Sequence, residues 1–271
     1  MQIAAMVEAV SAAILLVILV ASAAVGMVVS RIVPERHRSR ETIEIVQLVI
    51  TMLVTFAALV MGLLTVSVKS SYDIANNDMS TLAARIVQVD QLLREYGPDL
   101  EPARGMLRGY TAGVISSTWP DEAAPAGDYY TRNSPTTVVG GMESENLGEI
   151  LRRIGINLRQ LDPADGFHRE LVSDLRVRFE ALIQARWTVI EQAHPIISRP
   201  FYLVMVFWLM VIFACFGLTG PRNGLVITMI VLCALSIASA VFVILDMDTP
   251  FSGAIMISSD AMRGALADLI R

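Results

Sequence analysis

The sequence predicts an all-α polytopic membrane protein: four transmembrane helices, paired as two hairpins, flank an extramembrane helical insert. Three observations carry that prediction. Of 271 residues, 54% are hydrophobic and 17% charged, where an average soluble domain has about 25% charged residues. Mean hydropathy is +0.57. An apolar core needs polar surface to cover it, so this composition excludes both a disordered chain and an ordinary soluble globule. The apolar residues gather in four charge-free stretches, each long enough for a hydrocarbon layer roughly 30 Å thick. The stretches fall in two close pairs with a long polar region between them. Net charge is −5, which leaves no electrostatic footprint for a nucleic-acid partner.

Residues 9–68 form the first predicted hairpin. Its first span runs from Ala9 to Ser30. Ala21-Ser22-Ala23 imitates a signal-cleavage site, but Glu8 precedes the run where a signal carries Lys or Arg. The run also exceeds a signal core of roughly 7–15 residues, so a retained helix is expected. A basic link with Arg31, Arg36, His37, Arg38 and Arg40, broken by Pro34, leads to the second span, Ile45 to Val68. No Gly or Pro lies between Val68 and Leu82. The second span is therefore expected to continue as one helix from about Glu44 to Tyr96, roughly 80 Å long. Asp73, Asn76, Asn77 and Asp78 mark the alternative, a break.

The insert occupies residues 69–199. Leu82, Ile86, Val89 and Leu93 recur at helical spacing until Gly97-Pro98. Pro102 to Ser117 reads as a weaker helix, interrupted by Gly105, Gly109 and Gly113. Trp119 to Gly141, with three prolines and three glycines, reads as a loop. Glu143 to Leu161 is helical again. Asp162-Pro163 suits an N-cap and first helical residue, opening a helix with Phe167, Leu171, Leu175, Phe179, Leu182 and Val189 on one side. His194-Pro195 and Pro200 end it.

The second hairpin, 200–245, pairs a span from Phe201 to Thr219 with one from Leu225 to Leu245 through the turn Gly220-Pro221-Arg222-Asn223-Gly224. In the tail, 246–271, a short amphipathic helix from Ser259 places Met262, Leu266 and Ile270 on one side. It is expected to lie on the membrane or dock on the insert. Cys215 and Cys233 fall inside spans, where a thiol packs as a small apolar group. Only positive charges in short loops orient a membrane protein. The arginines of link 31–44, with Arg222, therefore predict cytoplasmic links and an insert on the opposite side.

The catalytic inventory is thin. His37, His168 and His194 have no ligand-spaced His or Cys partner, and no phosphate loop, nucleophile elbow or zinc motif is present. No enzyme, metal or cofactor is expected. The second span carries the most informative pattern: Glu44, Gln47, Thr51, Thr55, Ala58, Gly62, Thr65 and Lys69 at steps of three or four. This stripe of small and polar side chains suits close helix packing or, repeated in several subunits, the lining of an ion path. Ala12, Ser22 and Gly26, and Ser236, Ser239 and Ala240, read as helix contacts. Asp246 and Asp248, before Thr249-Pro250, offer too few oxygens for a cation and read as a polar helix end at the membrane surface.

Two stretches resemble a known family. Ser71-Tyr72-Asp73 precedes a helix containing Asp90, and the fourth span ends in an Asp-x-Asp-x-Pro-Phe-x-Gly run: Asp246, Asp248, Pro250, Phe251 and Gly253. With the two-hairpin arrangement, this resembles the bestrophin-like family of bacterial four-span membrane proteins of unknown function. The resemblance covers most of the chain. Its distant relatives, the bestrophins, are homopentameric anion channels whose second span lines the pore. The resemblance thus implies a homo-oligomer, pentameric by analogy, in the bacterial inner membrane. Inorganic ions would pass Gln47, Thr51, Thr55, Ala58, Gly62 and Thr65. Three features depart from bestrophins: no dense acidic cluster for calcium, a small hydroxylic stripe where bestrophins have a bulky neck, and a charge pattern opposing their cytosolic insert. The alternative is a membrane-anchored interaction or sensory module, binding a partner through the loop with Trp119, Tyr129 and Tyr130.

Overall fold

The computed structural model describes residues 2–32, 40–127, 144–221 and 223–271. Most of the basic link, Arg222, and the loop from 128 to 143 with Tyr129 and Tyr130 lie outside the described residues. Regular structure among the described residues is all helical: α1 (Gln2–Ile32), α2 (Arg40–Tyr96), α3 (Glu101–Thr118), α4 (Glu145–Gln160), α5 (Gly166–Gln192), α6 (Arg199–Thr219), α7 (Gly224–Met247) and α8 (Asp260–Ile270), with a single 3-10 turn at Pro98–Leu100. Four of these helices are long and apolar enough to cross a membrane: α1, α2, α6 and α7. The chain divides into two compact units, Gln2–Tyr72 with Pro195–Ile255, and Asp73–His194 with Met256–Arg271.

In the first unit, α1 packs on both α6 and α7. Leu15, Leu19 and Ala23 meet Met205, Leu209 and Phe213 of α6 and Ala234 and Val241 of α7. These residues recur every three or four positions, the spacing that keeps one stripe of a helix toward a partner. Met61 and Leu64 of α2 pack on the same cluster. The rings of Phe56 and Trp208 lie 5.0 Å apart. Val17, Leu203, Phe207 and Leu225 are exposed, as side chains meeting lipid must be. The serines of the fourth span depart from expectation. Ser236 and Ser239 are exposed, their hydroxyls donating to the Leu232 and Leu235 carbonyls, while α7 packs through Ala234, Ala238 and Val241. A serine satisfied within its own helix needs no neighbour.

In the second unit, α2 runs on without a break. Asp73, Asn76 and Asn77 are exposed, and Met79, Leu82, Ile86, Val89 and Leu93 are buried. α3 is a full helix despite its glycines. A Cβ at Gly113 would stand 2.7 Å from Leu147 Cδ2, so the missing side chain lets α4 approach. α4 and α5 run antiparallel in one register: Gly148 faces Arg186, Gly155 faces Phe179, and Arg176 donates to the Leu158 carbonyl at 3.1 Å.

Three expectations are corrected here. The N-cap of α5 is Asp165, not Asp162: its Oδ1 accepts from the His168 amide at 2.9 Å and its Oδ2 lies 2.7 Å from His168 Nδ1. Two bonds to one carboxylate outweigh the proline preference at Pro163. Phe167, expected on the buried side of α5, is exposed because it lies in the first turn, before α5 reaches the core. In α8, Leu269 is buried and Ile270 exposed. α8 docks on α3, and its last turn rotates to aim carbonyls at arginines: Arg108 Nε donates to Leu269 O at 2.9 Å and Arg94 Nη2 to Asp268 O at 3.3 Å.

Candidate functional site: the outer surface of α2 and the Asp246–Gly253 turn

α2 meets its own bundle through Ile50, Ala57, Met61, Leu64 and Val68, all buried or half-buried, at steps of three, four and seven. Gln47, Thr51, Thr55, Ala58, Gly62 and Thr65 are all exposed. At 100° per residue they lie about a quarter turn round from the packing face. The Thr51, Thr55 and Thr65 hydroxyls donate to the carbonyls of Gln47, Thr51 and Met61 at 2.8–2.9 Å. Each hydroxyl oxygen keeps lone pairs on the outer surface. A Cβ at Gly62 would have nothing within 4 Å. Packing within the chain therefore does not use this stripe. Glu44 and Lys69 bound it; Lys69 Nζ stands 5.5 Å from the Tyr72 ring centroid.

A third face escaped the sequence reading. Leu48, Met52, Leu59, Leu63 and Val66 are each more than half exposed, on the side of the stripe away from the bundle. Apolar residues at those positions were visible in the sequence. Which of two apolar faces meets the bundle was not, because periodicity assigns a face without naming its neighbour.

The residues after α7 close a tight reversal. Asp246 is fully buried; its Oδ1 accepts from the Ala254 amide at 2.8 Å and its Oδ2 from the Ile255 amide at 2.6 Å. Asp248 Oδ1 accepts from the Ile196 and Ile197 amides at 3.0 and 3.3 Å, pinning the approach to α6. Pro250 and Gly253 are buried and Phe251 half-buried. Gly253 adopts φ +100°, a conformation that a β-carbon disfavours. The expected polar helix end at the surface is thus replaced by two buried acceptors, because the chain folds back and brings backbone amides to them. Burial pushes the Asp248 carboxyl above the usual carboxylate range, and the two amides pull it only part of the way back.

In the other unit, Asp90 is buried and takes Arg104 Nε and Arg94 Nη2, each at 2.9 Å. Arg104 and Arg108 also pair with Glu101 at 2.7 and 2.9 Å. This network holds the end of α8. Trp119, expected in a recognition loop, is buried with Nε1 donating to Ile257 O at 2.8 Å. It is part of the docking of the tail, which removes it from any partner surface. No cluster of three or more His, Cys, Asp or Glu suited to a metal occurs among the described residues.

The Bestrophin-like domain pattern matches residues 17–262. No curated protein sequence matches the chain. Solved structures match across nearly their whole length. One variant of a bacterial bestrophin homolog from Klebsiella pneumoniae is 16% identical with a TM-score of 0.65, covering 95% of this chain and 97% of that one. A second variant is 15% identical with a TM-score of 0.68, covering 96% and 98%. A crystal structure described only as a membrane protein is 14% identical, with a TM-score of 0.64 and coverage of 96% and 97%. At such identities the likeness is one of fold.

Proposed function

This chain belongs to the bestrophin-like family, and from that premise we propose a homo-oligomeric ion channel of the bacterial inner membrane, lined by α2 and anion-type by analogy. One observation carries the reading: Gln47, Thr51, Thr55, Ala58, Gly62 and Thr65 are exposed on a face that α2 does not use in its own bundle. Facing acyl chains, the Gln47 amide would lose its hydrogen bonds with nothing in return. At the axis of a ring, the same stripe from each subunit surrounds water. There the threonine hydroxyls form a neutral lining. A hydroxyl that turns from its carbonyl toward the axis presents a proton to an anion, replacing part of its hydration shell. The bulky row beside the stripe then faces the neighbouring subunit or lipid. Nothing in this arrangement supplies a convergent acid, base or nucleophile, so transport is the reading rather than catalysis.

The test is direct. Purified protein in liposomes is expected to pass chloride, with a particle mass of several subunits. A monomer, or a ring without ion flux, overturns the proposal.

A further inference from the structure

We propose that the groove between the end of α2 and the start of α5 receives the last turns of α4 from a second copy of the chain. The inference rests on the homo-oligomeric reading above. The groove has a volume of about 550 Å³ and is lined by Phe167, Val177, Glu95, Glu170 and Asp174, among others. Phe167 and Val177 are 59% and 62% exposed, in a unit whose helices lie outside the apolar spans except where α2 enters it. Exposed Phe and Val lining a groove mark a contact surface. Three carboxylates line it with them. Arg178 approaches Asp174 at 3.4 Å; Glu95 and Glu170 have no ion pair among the described residues.

The complement is on the same chain. Arg152, Arg153 and Arg159 stand exposed on the last turns of α4. Arg152 and Arg153 share Glu149 at 2.6 and 2.9 Å, which leaves further guanidinium donors on each. Within the unit, Leu158 of α4 lies opposite Arg176 of α5 and Gly155 opposite Phe179. Arg152 and Arg159, seven residues apart, share one side of α4, with Arg153 about 100° round from Arg152. Membrane insertion gives every copy the same orientation and confines the copies to one plane. Side by side in that plane, the acidic groove of one copy and the α4 arginines of the next are opposite in charge. The two surfaces differ, so the contact is head-to-tail, the kind that repeats into a closed ring. A lipid headgroup layer is a poor occupant, because the anionic leaflet repels three carboxylates.

Charge exchange in the full-length protein tests the pairing. Reversing one side, Glu170→Arg with Asp174→Arg, is expected to weaken self-association about tenfold. Reversing the other side, Arg152→Glu with Arg159→Glu, is expected to do the same. Combining all four is expected to restore the wild-type mass, which also shows that the changes are compatible with folding. In a background with Cys215→Ala and Cys233→Ala, a Val177→Cys chain co-expressed with a differently tagged Arg159→Cys chain is expected to give a mixed disulfide dimer. Failure of the fourfold variant to restore assembly, or an intact oligomer without the mixed cross-link, overturns the groove and leaves the channel reading standing. A monomeric wild type overturns both.

Discussion

Gly26 of α1 and Gly217 of α6 face each other so closely that neither has room for a β-carbon. A Cβ at Gly26 would lie 1.9 Å from the Ala214 carbonyl oxygen, and one at Gly217 would lie 1.9 Å from the Ala23 carbonyl oxygen. The two backbones are in direct contact, and the symmetry of the clash shows one crossing point. Close approach by small residues is a main source of helix affinity in lipid, where the hydrophobic effect between helices is absent. Backbone carbonyls cannot swing aside as a side-chain tip can, so Gly26→Ala and Gly217→Ala each force the helices apart. Each is expected to cost about 1–3 kcal/mol, read as a lowered melting temperature in detergent. Gly62→Ala, with nothing within 4 Å of its added carbon, is expected to leave the melting temperature unchanged. Equal effects at all three positions would contradict the contact.

The α2 stripe makes a different prediction, visible in transport and not in stability. Thr55→Trp and Gly62→Leu add bulk on an exposed face. Both are expected to leave oligomer mass intact and lower chloride flux in liposomes at least tenfold. Val17→Trp, on an exposed face of α1, serves as the control and is expected to have no effect. Normal flux in the Thr55→Trp channel would remove the stripe from the path.

Asp90 anchors the tail helix at one remove. It is 2% exposed and holds Arg94 and Arg104, and both arginines reach α8 carbonyls. Replacing it with Ala takes from the Arg104 guanidinium, only 11% exposed, its buried carboxylate and leaves it Glu101. Losing a charged hydrogen-bond partner of this kind costs about 1–3 kcal/mol. Amide hydrogen exchange over Met262–Leu269 is expected to accelerate at least tenfold in Asp90→Ala. Arg271→Ala, which removes only a strongly exposed ion pair to Asp268, is expected to leave exchange there unchanged.

What the sequence revealed follows from which signals are local. Four spans were legible because charge is absent over each whole stretch, and the unbroken α2 because nothing from Val68 to Leu82 interrupts a helix. The α8 docking face was legible to within one residue. The role of Asp246 and Asp248 was not, because it depends on amides 8 to 52 residues away in sequence. The cap at Asp165 was missed because Asp162-Pro163 and Asp165-Gly166 offer competing starts three residues apart, and only the bond to the His168 amide decides. Trp119 was misplaced for a related reason: an indole in a Pro/Gly-rich stretch looks available until the tail returns to cover it.

Asp248 gives the pH behaviour its sign. Burial raises its carboxyl above the ordinary aspartate value, with only partial compensation from the Ile196 and Ile197 amides. The folded protein therefore keeps this proton to a higher pH than the unfolded chain, whose aspartates titrate near 4. Between those two values the folded state binds more protons, so stability falls as pH rises through the window. Glu149 and Asp165 act oppositely. Arg152 and then Arg153 lower Glu149 to about 2, and the His168 amide leads in lowering Asp165. Their contribution is present above the unfolded value and fades as pH drops through the folded one. Both stand at the surface, and a difference measurement cancels them. Asp248→Asn retains an acceptor for the Ile196 amide and cannot ionise. The melting temperature of the wild type minus that of Asp248→Asn is expected to decline as pH rises from about 4 and to level off above the raised value. A difference that rises over the same range would mean that the carboxylate is held as a favourable anion, with the two amides outweighing its burial.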